Sequence, residues 1–423
     1  MGDQGLPGLR LSSRPLPPES LAIGALITAL VALGQISTSI YTPSLPSLRT
    51  ALNASLQQAN LSLALFLLGF APAQLIIGSL SDRYGRRPVL VIGLVAYITA
   101  SAACALAPTI EALIAGRFVQ GLAACTGPVL SRAIVRDIYG IERSATALAY
   151  IGAALALSPA IAPIIGGYLQ VWFGWRSAFV FLVCVGVVLL LAVAWLLPET
   201  TQPVLRRPRV SLAGALADHL RVLGGRGFLA NAIAVGSVFA GLMAYTVGGP
   251  FVFIELFGLT PTAFGLLAVF TVAGYFVGSL TAARLSRHLP PSRLMPLGLS
   301  LCLAGGAVAA LLVIAARPSI VAIVAPMSVF CAGFGIVFAA GIAEALAPFP
   351  HLAGTASAWI GFLQMVIAAL STTLLGAFEM TSALPMVLGV LGTAALGAAS
   401  YGLIGWTART ARENREAQDQ GDR

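Results

Sequence analysis

The chain has 423 residues, of which 58% are hydrophobic and only 9% charged, with a net charge of +9. A soluble domain carries roughly 25% charged residues, so a water-soluble globule of this size is excluded and lipid must be the solvent for most of the chain. The histidines His219, His288 and His351 have no HExxH or GxSxG context, which argues against a membrane-embedded enzyme. No stretch is long enough for the soluble output domain that a sensor or scaffold would need.

In chain order, the first 20 residues contain Pro7, Pro15, Pro17 and Pro18 and read as a disordered tail. The first apolar run is longer than a signal-peptide core and ends in YTPSLP, so it reads as a retained span. Twelve apolar runs near membrane-crossing length follow one another, at 21–42, 58–80, 88–107, 111–131, 144–170, 177–198, 228–250, 262–283, 294–316, 318–345, 353–378 and 383–406. The expected fold class is all-α and membrane-embedded. Its parts are a tail 1–20, a six-helix bundle 21–198, a linker 199–226, a second bundle 227–406 and a tail 407–423.

The basic residues set the orientation. None is lysine, and with both termini on the inner side 20 of the 24 arginines fall in inner segments. This asymmetry points to cytoplasmic termini. Inner arginines meeting anionic headgroups account for the positive charge, with a lipid bilayer and no nucleic acid as partner. The five cysteines all lie inside expected spans with no zinc or disulfide spacing, and read as small apolar filler.

The two bundles share a trace of duplication. GSLSDRYGRRPVL begins at Gly78, and GSLTAARLSRHLPPSRL begins at Gly278 at the corresponding junction of the second half. Matched halves of this kind place a substrate cavity between them.

Certain residues stand out for their chemistry. Gly78 and Gly85 permit tight turning around Asp82, Arg83, Arg86 and Arg87. Asp82 could cap the following helix, and Arg86 and Asp137, both near the inner ends of expected spans, could form an ion pair. Arg83 and Arg87 read as headgroup contacts. Arg117 is the one cation inside an expected span, about six residues or roughly 9 Å from its outer end, with Gln120 and Gly121 following. A buried membrane arginine is a functional candidate by default, although it could instead snorkel to the outer headgroups. Pro159 and Pro163, then Gly166 and Gly167, suit a bent, tightly packed helix. Gln35, Tyr41, Tyr150, Tyr245, Tyr275 and Gln364 are polar groups that could line a cavity, and each could equally be interfacial. Sparse polar groups of this kind suit amphipathic ligands.

The Gly78–Leu90 loop closely resembles the G-x-L-x-D-R-x-G-R-[RK] loop of the major facilitator superfamily. RFVQGLAA at Arg117–Ala124 and SPAIAPIIGG at Ser158–Gly167 look like antiporter motifs. YTPSLP, RAIVRDIYG, PFVFIELFGLTP and PFPHLAGTASAWIGFLQ together resemble the bicyclomycin/chloramphenicol-resistance branch. The resemblance implies two six-helix halves around a central cavity and alternating-access export of amphipathic drugs from the cell inner membrane. It also implies a monomer and no cofactor, with the proton gradient as energy source. It makes Asp82, Arg86 and Asp137 a cytoplasmic gate and gives Arg117 a coupling role in the cavity. The chain departs from the branch at Ser39, where an acid is usual. Glu255, Asp137 or Glu344 could carry protons instead, or the transport could be uncoupled. A metabolite exporter of the same fold is the alternative.

Overall fold

The computed structural model describes residues 21–138, 157–200, 212–315 and 319–404. Among them every regular element is helical. The first half contains α1 (Ala22–Ala51), α2 (Leu56–Tyr84), α3 (Arg86–Ala105), α4 (Ile110–Ile138), α5 (Ser158–Phe173) and α6 (Arg176–Leu196). The second contains α7 (Arg226–Leu256), α8 (Pro261–Leu285), α9 (Pro291–Ala315), α10 (Ile320–Leu346), α11 (Pro350–Gly376) and α12 (Leu384–Leu403). Eleven of these are long and apolar enough to cross a membrane. The described part of α5 has 16 residues, because residues 139–156, including Tyr150, lie outside the described segments, as do both expected tails.

Side-chain caps set several helix starts. Ser55 and Gln58 close a reciprocal capping box at α2. Thr109, Thr260 and Ser319 each accept a backbone N–H at the first turn of α4, α8 and α10. All four caps lie on one face of the bundle. The α2–α3 junction, with Arg83, Arg86 and Arg87, lies at the other end of these helices and marks the arginine-rich face. On the capped face α1 breaks after Ser39, passes through a 3-10 turn at Thr42–Ser44 containing Pro43, and resumes at Leu45–Ala51.

The halves meet where α2 packs on α11 and α5 on α8. Small residues permit these approaches. A Cβ at Gly167 would stand 2.5 Å from the Pro261 carbonyl oxygen, and one at Gly265 2.5 Å from that of Pro163. Gly166 similarly abuts the Ile40 carbonyl of α1. Any larger side chain would push the halves apart on the capped face.

Two elements differ from the sequence reading. First, α4 runs to Ile138 rather than ending near 131, so Arg132, Arg136 and Asp137 lie on a helix. Their charge resembles a loop signal, but they occupy the last turns of a span that reaches the arginine-rich face. Second, the linker contains a helix, Leu212–Leu223. It docks through His219, whose Nδ1 accepts the indole N–H of Trp359 in α11 at 2.9 Å. Leu216 and Leu220 remain exposed one turn apart, as in a helix lying at a lipid interface.

Candidate functional site

A cavity of about 210 Å³ lies between the halves, lined from α1, α2, α4, α7, α10 and α11. Its apolar wall includes Phe66, Phe70, Phe239, Phe338 and Met365, and its polar groups are Gln35, Thr38, Gln74, Arg132, Ser357 and Gln364. Ile342 and Ser357 lie four residues from the ends of α10 and the helical run of α11, about 6 Å of helix. The cavity therefore reaches toward the arginine-rich face, while the halves are closed together on the capped face. Gln35 and Gln364, expected here, do line it. Arg132 and Gln74 line it too, beyond the residues the sequence singles out. The expected span ends at 131, and the sequence signal for Arg132 is the apolar spacing of Ile134, Val135 and Ile138 that continues past it.

Arg117 and Gln120 occupy a different place. Arg117 is fully buried inside the first half. One guanidinium N–H group donates to the Ser37 carbonyl at 3.2 Å and to Gln120 Oε1 at 2.6 Å. Gln120 donates to Ser101 Oγ at 2.7 Å, and Ser37 Oγ meets the Tyr97 hydroxyl at 2.6 Å. The guanidinium lies 4.4 Å from the Tyr41 ring centroid, 4.3 Å from Phe66 and 5.8 Å from Phe179. Its Nε and Nη2 have no hydrogen-bond partner, and the negative faces of these rings supply the compensating electrostatics. This arginine neither snorkels to the surface nor lines the cavity; it ties five helices of one half together. Phe66 touches both the cage and the cavity.

Three further candidates lie off the cavity. Ser39 is buried at the break in α1, its carbonyl accepting the Thr42 hydroxyl at 2.8 Å. Tyr245 is buried against Phe253, with ring centroids 6.1 Å apart. Tyr275 stacks on Phe334 at 5.3 Å. Tyr41, which could have been interfacial, is wholly enclosed.

At the α2–α3 junction the expected Arg86–Asp137 pair is present at 3.1 Å, and Arg86 also reaches Asp82 at 2.6 Å and Ser81 Oγ at 2.5 Å. The helix cap differs from expectation. Asp82 lies in the last turn of α2, and Glu199, beyond α6, accepts the backbone N–H groups of Arg86 at 2.9 Å and Arg87 at 3.2 Å. Gly85 turns the chain with φ of +101°, and a Cβ there would stand 2.6 Å from the Glu199 carboxylate. Gly78, expected to turn, is helical and borders open space. Arg83 lies over Tyr84, 5.2 Å from its centroid. Arg87 donates to the Ala194 carbonyl at 2.5 Å rather than facing headgroups alone. These contacts tie α2, α3, α4, α6 and the segment just beyond α6 to one another, so the cluster braces the first half.

On the capped face, Arg49 of α1 pairs with Glu255 of α7 at 3.6 Å and lies 5.7 Å from the Phe251 centroid. Glu255 sits in a π-helical turn, Phe251–Leu256, after Pro250. Its side chain is 31% exposed, so it does not lie deeper than the sequence placed it; it lies where the halves meet. Pro163 falls inside α5 and Pro159 in its first described turn. Glu344, on the arginine-rich side, accepts the Tyr401 hydroxyl at 3.2 Å.

Comparison with known proteins agrees with this architecture. The family model described as Major Facilitator Superfamily matches residues 27–372. "Uncharacterized MFS-type transporter YdgK" of Bacillus subtilis (strain 168) is 31% identical over 389 residues, 92% of this chain and 96% of that one. "Multidrug resistance protein D" of Escherichia coli (strain K12) is 30% identical over 355 residues, 82% and 88% of the two chains. A crystal structure of a D-xylose-proton symporter superposes with a TM-score of 0.73 at 15% identity, covering 90% of this chain and 97% of that one.

Proposed function

Because the chain belongs to the major facilitator superfamily, a family of transporters rather than enzymes, we propose that it exports small amphipathic molecules across the cell inner membrane by alternating access. The observation that carries this reading is the inter-half cavity, whose aromatic wall holds a few polar groups, with the halves joined on the capped face. An aromatic wall gains from desolvating an apolar body, and isolated amides orient it without strict matching. With the arginine-rich face inside, the cavity receives ligand from the cytoplasm or inner leaflet. The resemblance of the chain to a multidrug resistance protein supports the same substrate range.

We place proton coupling at Glu255. It is the acid that meets an arginine of the other half on the closed face, within reach of water. Protonation there would remove the charge that holds Arg49 and loosen the closure, which is the differential effect a coupling ion needs. The reading predicts that expression in a drug-sensitive host protects growth against phenicols, bicyclomycin or other amphipathic compounds. Protection by the wild type that is lost when the cavity is blocked supports it. No protection across the panel, with protein confirmed in the membrane, overturns it.

A further inference from the structure

The charge of the cavity narrows its ligand. Arg132 is the charged residue among its lining side chains, and no carboxylate lines it among the described residues. It lies six residues from the end of α4 at Ile138, about 9 Å into the helix. Unlike Arg86 or Arg117, it makes no hydrogen bond or ion pair with a described residue, and its side chain is exposed to the cavity. A guanidinium in a cavity also lined by Val31, Phe70, Pro128 and Phe338 is less well hydrated than one in bulk water, and an anion that pairs with it recovers electrostatic energy. Gln35, Gln74 and Gln364 face the same space. Their amides donate hydrogen bonds without adding charge, so they assist an anion and also tolerate its polar substituents.

Resting on the export reading above, we infer that the cavity binds small amphipathic organic anions, aryl or alkyl carboxylates and sulfonates, with Arg132 as the counter-ion. A planar guanidinium matches such an anionic group bidentately. The volume of about 210 Å³ lies below the roughly 300–1,000 Å³ of drug-sized sites, so the ligand in this state is small, with one ring or a short chain seated against the phenylalanines.

The test is equilibrium binding of three probes of one shape, phenylbutyrate, phenylbutyramide and phenylbutylamine, to the purified full-length protein. The acid should bind about tenfold more tightly than the amide, the difference expected of one charge-assisted hydrogen-bonded pair, and the amine most weakly. Arg132→Gln should erase the preference for the acid over the amide, and an unchanged unfolding temperature of the purified variant shows it to be folded. Arg132→Lys should keep part of the preference, and it decides the matter if the Gln variant loses amide binding as well. Equal binding of acid and amide, strongest binding of the amine, or a preference that survives Arg132→Gln would overturn the inference. Flux of the same probes into proteoliposomes separates this from the export reading. Transport of the amide or amine but not the acid sinks the anion site alone, whereas absence of growth protection across the whole drug panel sinks the export reading itself.

Discussion

Two arginines on one helix show how much a side chain's surroundings decide its use. Arg117 and Arg132 are 15 positions apart on α4, about 22 Å along the axis. Arg117 is enclosed by Tyr41, Phe66 and Phe179, and its contacts hold one half together. Each ring contact of this kind contributes about 0.5–2 kcal/mol when desolvated. Arg117→Ala should therefore lower stability by about 2–4 kcal/mol through lost ring contacts and a cavity, read as a fall of several degrees in thermal unfolding of the purified protein. Affinity for cavity ligands should change far less than in Arg132→Gln. Unchanged unfolding with abolished ligand binding would instead return Arg117 to the cavity. Sequence could single out Arg117, because a cation in an apolar run is conspicuous. It could not show which way the side chain turns, since the cage is built from α1, α2 and α6, far away in the chain. Arg132 escaped notice for the opposite reason, being one arginine among several at what looks like a loop.

At the scale of elements, the α2–α3 junction is an assembly of distant segments. Its glycine, its arginines and Asp82 stand together in the sequence, and their closeness was legible there. Glu199, 113 residues beyond Arg86, supplies the helix cap, and no local pattern announces it. Removing that carboxylate leaves two N–H groups at a helix start without their acceptor. Glu199→Ala should destabilise the first half by about 1–2 kcal/mol, whereas Asp82→Ala, which leaves the cap in place, should cost less. Comparing the unfolding midpoints of the two variants checks the assignment, and the reverse order would restore Asp82 as the cap. The α5–α8 contact makes a second element-scale case. Gly167 and Gly265 approach backbone carbonyls too closely for any side chain. Gly167→Leu should therefore splay the capped face, lengthening distances between spin labels placed in the α1–α2 and α7–α8 connections. Unchanged distances would mean that the closure rests elsewhere. The proline and glycine spacing pointed to tight packing, but the partner of Gly167 could be found only in three dimensions.

For the whole molecule, the order of apolar runs and the position of the charged junction were legible because each follows from length and hydropathy alone. What joins the halves was not, since pairs such as Arg49 and Glu255 depend on how two bundles dock. The proposal that a proton acts at that pair has an energetic consequence for export. A proton entering as an anion leaves moves positive charge inward twice over, so an inside-negative potential assists both movements, by about 2.3 kcal/mol per charge per 100 mV. A pH gradient, by contrast, acts on the carrier through the group that binds the proton, and also on a weak acid directly, so flux into protein-free liposomes is subtracted. Replacing Glu255 with Gln removes the carboxylate yet keeps a hydrogen-bond acceptor beside Arg49. In proteoliposomes, wild-type protein should move phenylbutyrate under either an imposed potential or an imposed pH gradient. Glu255→Gln should retain potential-driven flux and lose most of the acceleration caused by the pH gradient. If both components survive, protons couple elsewhere or not at all; if both vanish, the Arg49–Glu255 contact is needed for the conformational cycle itself. Only a selective loss of the pH-driven part fits a proton acting where the two halves close.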